Sequence, residues 1–282
     1  MRAMDALIII GAPRSGTNML RDLICTLPGC GTWPCDEINF IWRHGNVDYP
    51  SDAIPPQLAT GRVRSFIRSR FAKIARGYGL TTVVEKTCAN SLRVPFVDSI
   101  VPEAKYIFLV RNGVDAVASA VKRWRAGLDL SYTLRKARFV PWTDVPRYAL
   151  RFLGNRLFRA VSSERRLAQW GPRLDGMDAL LRKYTLEEVC AFQWRECVLR
   201  SEEALSRIPP DRVLRARYEQ VVADPVDFLR RTAAFVDRRD WTPEPGSHSW
   251  VSGERARGTA DSMPIDARER VQRVLEGLEP HA

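Results

Sequence analysis

The sequence predicts an α/β protein, a parallel sheet of four to five strands flanked by helices, with a helical elaboration between about residues 125 and 210. Three observations predict it. Short apolar runs suited to buried strands alternate with longer amphipathic segments, and that alternation builds a parallel sheet through right-handed crossovers. The first run, Leu7 to Ile10, passes through Gly11-Ala12-Pro13-Arg14-Ser15-Gly16 into a helix opened by Thr17. A second strand, loop and helix follow over residues 105–124, with the strand at Tyr106 to Val110 and the helix through Val114, Val117, Ala118 and Val121.

In chain order, the first helix runs to Leu27, and a short strand spans Cys30 to Trp33. A polar, proline-bearing loop covers about 44–60, and a basic helix runs from about 61 to 76. A strand at 82–86, a helix at 90–100 and the strand at 106–110 come next. Helices fill the elaboration, including a segment from Asp144 to Trp170 in which Val145, Tyr148, Phe152, Leu157 and Val161 recur among arginines. A strand from Arg212 to Arg217 ends at Tyr218, a helix covers Pro225 to Val236, a loop rich in Pro, Gly and Ser spans 242–262, and a last helix runs from Ile265 to about Leu278. No repeat or low-complexity tract interrupts this path, and the chain of 282 residues is expected to form one domain over 1–282.

The first turn is a phosphate-binding loop, so the sheet is of the P-loop type. Backbone N–H groups in the turn and first helical turn have no intrahelical carbonyl partner, and the helix dipole adds partial positive charge where an anion would sit. The nucleotide pattern GxxxxGK[ST] is nearly met, but Thr17 stands at its lysine position and the cation lies inside the loop at Arg14. The anion is therefore not expected to be a nucleoside triphosphate tail. Arg111 at the end of the 106–110 strand and Ser119 eight residues on offer a second anion site. In such sheets both loops open onto one crevice at the strand carboxyl ends.

With these residues in view, the chain resembles the sulfotransferases that use 3'-phosphoadenylyl sulfate (PAPS), most of all the tyrosylprotein and carbohydrate branch and bacterial relatives. Gly11 to Leu20, Asp36-Glu37, Glu85-Lys86-Thr87 through Trp124, and Arg217-Tyr218-Glu219 through Asp224-Pro225 carry the likeness, while residues 125–210 match no segment that can be named. The resemblance implies that Pro13, Arg14, Ser15, Gly16, Thr17 and Asn18 hold the 5'-phosphosulfate and that Arg111 and Ser119 hold the 3'-phosphate, with PAP as product and no metal. Tyr218 matches a family tyrosine near the adenine, and Arg255 and Arg257 are loosely similar to a C-terminal clamp on the 3'-phosphate. Asn18 and Met19 replace the threonine and aromatic of many relatives, and Cys88 stands where cytosolic relatives place a histidine base.

The catalytic roles follow from sulfuryl transfer, in which an acceptor hydroxyl loses a proton and the oxygen leaving sulfur gains negative charge. Glu37 stands where related sulfotransferases place a catalytic glutamate, so the resemblance implies it as the base, with Asp36 beside it as the alternative. Lys86 matches a family lysine on the sulfuryl and bridging oxygens, and Arg14 completes the cationic clamp with a guanidinium suited to paired oxygens. The expected acceptor is a hydroxyl on a carbohydrate or glycolipid, anionic in character. A tyrosylprotein sulfotransferase is the alternative, and a P-loop small-molecule kinase, short of its loop lysine and of an acidic strand end for Mg²⁺, is a more distant one.

Charge bears on the acceptor. Residues 121–173 hold thirteen Lys or Arg against three acids in a chain of net charge +11. A basic amphipathic segment over 144–170 suits an acidic polymer or peripheral contact with an anionic membrane, and a solvated face is the plainer alternative. No groove-reading motif or stacking-aromatic sheet supports nucleic acid as a partner. Six cysteines without a CxxC pair and only three histidines argue for free thiols rather than a zinc site. No membrane-spanning run or leader pattern occurs, and the expected location is the cytoplasm, with peripheral contact on the inner membrane face.

Overall fold

The computed structural model describes residues 5–126, 139–150, 153–154, 169–238, 241–242, 248, 250–251 and 260–278. Its centre is a sheet of five parallel strands: β1 (Asp5–Ile10), β2 (Cys30–Gly31), β3 (Thr82–Lys86), β4 (Lys105–Val110) and β5 (Val213–Arg217). Their order is β2-β3-β1-β4-β5, so β1 lies in the middle with β3 on one side and β4 on the other. The run Leu7 to Ile10 is wholly buried because a central parallel strand is covered on both faces.

Alternate strand residues feed two cores. Ile8, Ile10, Val83, Tyr106 and Phe108 pack beneath α3 (Gly61–Tyr78) and α4 (Val94–Ile100) together with Trp33, Trp42 and Phe71. Leu7, Ile9, Val84, Ile107 and Leu109 face α1 (Thr17–Ile24), α8 (Tyr218–Ala223) and α9 (Pro225–Phe235). A third cluster joins α5 (Gly113–Arg125), α6 (Met177–Lys183), α7 (Leu186–Leu205) and α10 (Ile265–Leu275), and it buries the free thiols Cys190 and Cys197 on α7. Thr185 and Glu188 close a capping box that starts α7 sharply.

Several boundaries differ from those the sequence predicts, each for a local reason. α1 stops at Ile24, where Leu27 N–H folds back to the Ile24 carbonyl in a turn before Pro28. The strand expected at Cys30 to Trp33 pairs only through Cys30 and Gly31, and Trp33 turns into the core ahead of Pro34. The helix expected at 90–100 is a 3₁₀ turn over Cys88–Leu92 followed by α4, with Arg93 between them at φ −143° and Pro95 inside the first turn of α4. β5 ends at Arg217, and Tyr218 opens α8 rather than closing the strand.

The loop over 44–60 is polar in sequence but anchored within. Arg43, which ends the short helix α2 (Asn39–Trp42), donates to Asp52 Oδ1 at 2.8 Å, to the Ser51 carbonyl at 2.6 Å and to the Val47 carbonyl at 3.0 Å. Asp52 in turn accepts from the Arg173 N–H at 2.8 Å, which ties this loop to the middle of the predicted elaboration. Of the segment predicted as a helix from Asp144 to Trp170, residues 145–150 and 153–154 are helical, and 151–152 and 155–168 lie outside the described residues. Among the described residues no helix is long and apolar enough to cross a membrane.

Candidate active site

The carboxyl ends of β1, β3, β4 and β5 carry, in turn, the loop with Arg14, the Lys86-to-Cys88 segment, Arg111 and Tyr218. One edge of the sheet thus gathers residues spread over two hundred positions of the chain. Glu37 joins them from the link between β2 and α2.

The 11–17 loop is built by close backbone approach. A Cβ on Gly11 would stand 2.8 Å from the Leu109 carbonyl oxygen and 2.8 Å from Thr17 Cγ2. Arg14 at φ 65° and Gly16 at φ 88° both take the left-handed conformation, the arginine at a cost of about 1–2 kcal/mol. The fully buried Ser15 hydroxyl and the buried Asn18 Oδ1 have no hydrogen-bond partner in the structure. Buried polar groups are normally paired, so an unpartnered hydroxyl in a loop that leads into a helix N-terminus fits a phosphosulfate-type anion. Thr17 Oγ1 lies 3.7 Å from Cys88 Sγ. Pro13 and Thr17 are buried, as the tight turn requires.

Arg14, expected to face the sulfuryl group, extends along α5 and donates from Nε to Ser119 Oγ at 2.9 Å. Arg111 donates to the Arg14 carbonyl at 3.1 Å and stacks over the Tyr218 ring at 4.6 Å. The two predicted anion sites therefore share a boundary. Burial, then the like charges of Arg123 and Arg111, hold the Arg14 guanidinium below its ordinary range. Arg123 lies one helical turn beyond Ser119 and makes the site a meeting of three arginines, as the i, i+4 spacing on α5 in principle allows.

Tyr218 is buried against the loop: a Cβ on Gly16 would collide with its ring. Its neighbour Glu219 accepts from the Asn112 N–H at 3.0 Å, and Asn112 caps α5 by accepting from the Asp115 N–H. Tyr218 and Glu219 together hold the Arg111 turn in place. Glu219 lay inside the Arg217-Tyr218-Glu219 signature without a role, because its partner is 107 residues away. Arg255 and Arg257 lie outside the described residues.

At the carboxyl end of β3, Lys86 Nζ donates to Glu37 Oε1 at 2.9 Å, and the Cys88 N–H reaches the same oxygen at 3.3 Å. Burial alone would lower the Lys86 pKa, but Glu37 outweighs it and the ammonium is held above its ordinary value. Asp36 is engaged elsewhere: Arg21 lies 3.6 Å from its carboxylate and donates to its carbonyl at 3.2 Å. Burial and then Glu37 push the Cys88 thiol up to about 12, so it stays protonated at neutral pH. Of the adjacent acids, it is Glu37 that stands at the lysine.

A family model described as the sulfotransferase family matches residues 6–153, just over half of the chain. Among solved structures, the chain is similar to a sulfotransferase from Alicyclobacillus acidocaldarius, with 20% identity and a TM-score of 0.52 over 98% of this chain and 92% of that one. It is similar also to sulfotransferase STF9 from Mycobacterium avium, with 14% identity and a TM-score of 0.50 over 100% and 78%. Mouse sulfotransferase SULT7A1, complexed with PAP, aligns at 18% identity and a TM-score of 0.42 over 89% and 64%. A search of curated proteins finds no match. The first two structures share the fold with this chain, and the match over residues 6–153 covers the loop, Glu37, Lys86, Arg111 and Ser119: the chain belongs to the sulfotransferase family.

Proposed function

We propose that this sulfotransferase moves the sulfuryl group from PAPS to a hydroxyl of a carbohydrate or glycolipid, with Glu37 as base. The observation that carries the reading is the Glu37–Lys86 pair at 2.9 Å beside a loop whose buried Ser15 hydroxyl awaits a partner. The acceptor oxygen gives its proton to Glu37 and forms the new O–S bond, the bond from sulfur to the phosphate oxygen breaks, and PAP leaves with that electron pair. Lys86, drawn between Glu37 and the leaving oxygen, stabilises the charge as it grows. Ser119 holds Arg14 in the structure and is also the expected 3'-phosphate contact, so a phosphate that takes this hydroxyl frees Arg14 toward the loop.

The basic stretch over 121–173 favours an acceptor bearing carboxylates or phosphates, including one presented on an anionic lipid surface. Exposed Trp142, Leu150 and Leu153 within it supply apolar contact for peripheral attachment at the cytoplasmic face. Incubation with labelled PAPS and three acceptors, a carboxylated polysaccharide, a glycolipid in vesicles and an acidic tyrosine peptide, tests the reading. Label on the polysaccharide or glycolipid supports it, and label on the peptide alone replaces it with the tyrosylprotein alternative. In the same assay Glu37→Gln should lower turnover by about 10²–10⁴ with PAP affinity near wild type, since the amide cannot take the proton.

A further inference from the structure

Glu85 is a carboxylate in the middle of a strand that has water on neither face. It precedes Lys86 in β3, sits in register with Ile8, and is wholly buried. Successive strand residues point to opposite faces, so its side chain enters the core beneath α3 and α4 while that of Lys86 turns to Glu37. A buried carboxylate is costly unless donors satisfy it, and here each oxygen has one. The Thr87 hydroxyl donates to Oε1 at 2.6 Å and the Asn90 side-chain amide to Oε2 at 2.9 Å.

Both donors lead to the residues that follow Glu37. The Thr87 hydroxyl also accepts from the Ile38 backbone N–H at 3.2 Å. Asn90 Oδ1 accepts from Arg93 Nε at 2.9 Å, and the other end of that buried guanidinium donates to the Asn39 side-chain oxygen and approaches Asp52. Thus the two residues after Glu37, Ile38 and Asn39, are tied to the two oxygens of one carboxylate, and that carboxylate is the chain neighbour of the lysine that Glu37 meets. Burial pushes Glu85 up to about 7, against the pull of Thr87, Arg93 and Lys86, so the arrangement is held at a cost.

We infer that Glu85 is a positioning residue: through Thr87 and through Asn90 and Arg93 it fixes the Ile38-Asn39 backbone, and thereby the reach of Glu37 toward Lys86 and the acceptor hydroxyl. The inference rests on Glu37 as base. Thr87 and Asn90 are its two arms, and their hydrogen bonds take both oxygens of the ionised carboxylate as acceptors, so the variants are compared above pH 7, where that form prevails. Glutamine supplies one acceptor and one donor, so one arm loses its partner whichever way the amide turns.

The test uses the full-length protein, with turnover read as loss of label from PAPS and expressed per site titrated with PAP. Glu85→Gln and Thr87→Val should each lower kcat about 10- to 100-fold, with KM for PAPS and the PAP affinity within about twofold of wild type. Thr87→Ser, which keeps the hydroxyl, should recover most of the rate. The double variant Glu37→Gln/Glu85→Gln should lose no more than Glu37→Gln alone, because Glu85 acts only through Glu37. Amide exchange at Ile38 should speed up in PAP-saturated Thr87→Val. Losses that add in the double variant, a Thr87→Ser no better than Thr87→Val, or a kcat per site unchanged in Glu85→Gln would each overturn the inference. If Glu37→Gln itself retains turnover while PAP binds, the assignment of the base fails instead, and that result is read from a different variant.

Discussion

At Gly16 any side chain would meet the ring of Tyr218, and that ring in turn carries the Arg111 guanidinium. One glycine therefore sets how closely the 11–17 loop approaches Tyr218 and the Arg111 stacked on it. The family tyrosine, expected beside the adenine, works here at least as a support for Arg111. Binding to the pair Arg111 and Ser119 should distinguish PAP from AMP, and Arg111→Ala should remove about 1.5–3 kcal/mol of that preference, roughly ten- to hundredfold. Titration calorimetry with both nucleotides measures it, and equal affinities for PAP and AMP in the wild-type protein would disprove the 3'-phosphate site. Arg14, Lys86, Arg111 and Ser119 were legible in the sequence because each belongs to a short spaced motif. Glu85 and Asp52 were not, because their meaning lies in partners such as Ile38, Asn39 and Arg173, brought near only by the fold.

Among the elements, β3 is where chemistry and stability are most closely joined. The folded Glu85 carboxyl keeps its proton up to about 7, while its ordinary value is 4.5. Between these values the folded state binds more protons than the unfolded chain, so this group's stabilising contribution is full below about pH 4.5 and is lost as pH rises through 7. The difference amounts to about 3 kcal/mol. Urea unfolding of wild type and Glu85→Gln at pH 5 and pH 8 should show wild type losing ground to the variant at the higher pH; parallel curves would refute the raised pKa. Strand existence was readable from apolar runs, and helix ends were not. The break at Arg93 depends on Pro95 and on the buried partners Asn90 and Asn39, and only the proline is visible to a periodicity argument.

For the molecule as a whole, the parallel sheet and its helical layers were predictable from alternation alone, whereas the region over 125–210, proposed to meet the acceptor, offers only charge. That charge makes a prediction of its own. Attraction between a +10 segment and an acidic acceptor weakens as salt screens it, so KM for the acceptor should rise with ionic strength while the affinity for PAP changes less. Neutralising Arg151, Arg156 and Arg159 together should raise KM further and flatten its salt dependence. A KM unmoved by salt and by the triple substitution would make the stretch a solvated face.

The placement of β1 at the middle of the sheet also governs how the chain reaches its working state. β1 cannot pair until β3 and β4 have been found, roughly 75 and 100 residues along. Its loop meets Ser119 across 105 residues, and Glu37 meets Lys86 across 49. Contacts so distant in sequence require large loops to be closed first, which slows the search. Nucleotide affinity is then a late product of folding: after dilution from denaturant, helical signal should return well before PAP binding, and PAP binding should return together with burial of the core tryptophans Trp33 and Trp42. A chain released from the ribosome before β4 is complete holds the whole 11–17 loop in its sequence and lacks the Leu109 backbone against which Gly11 packs.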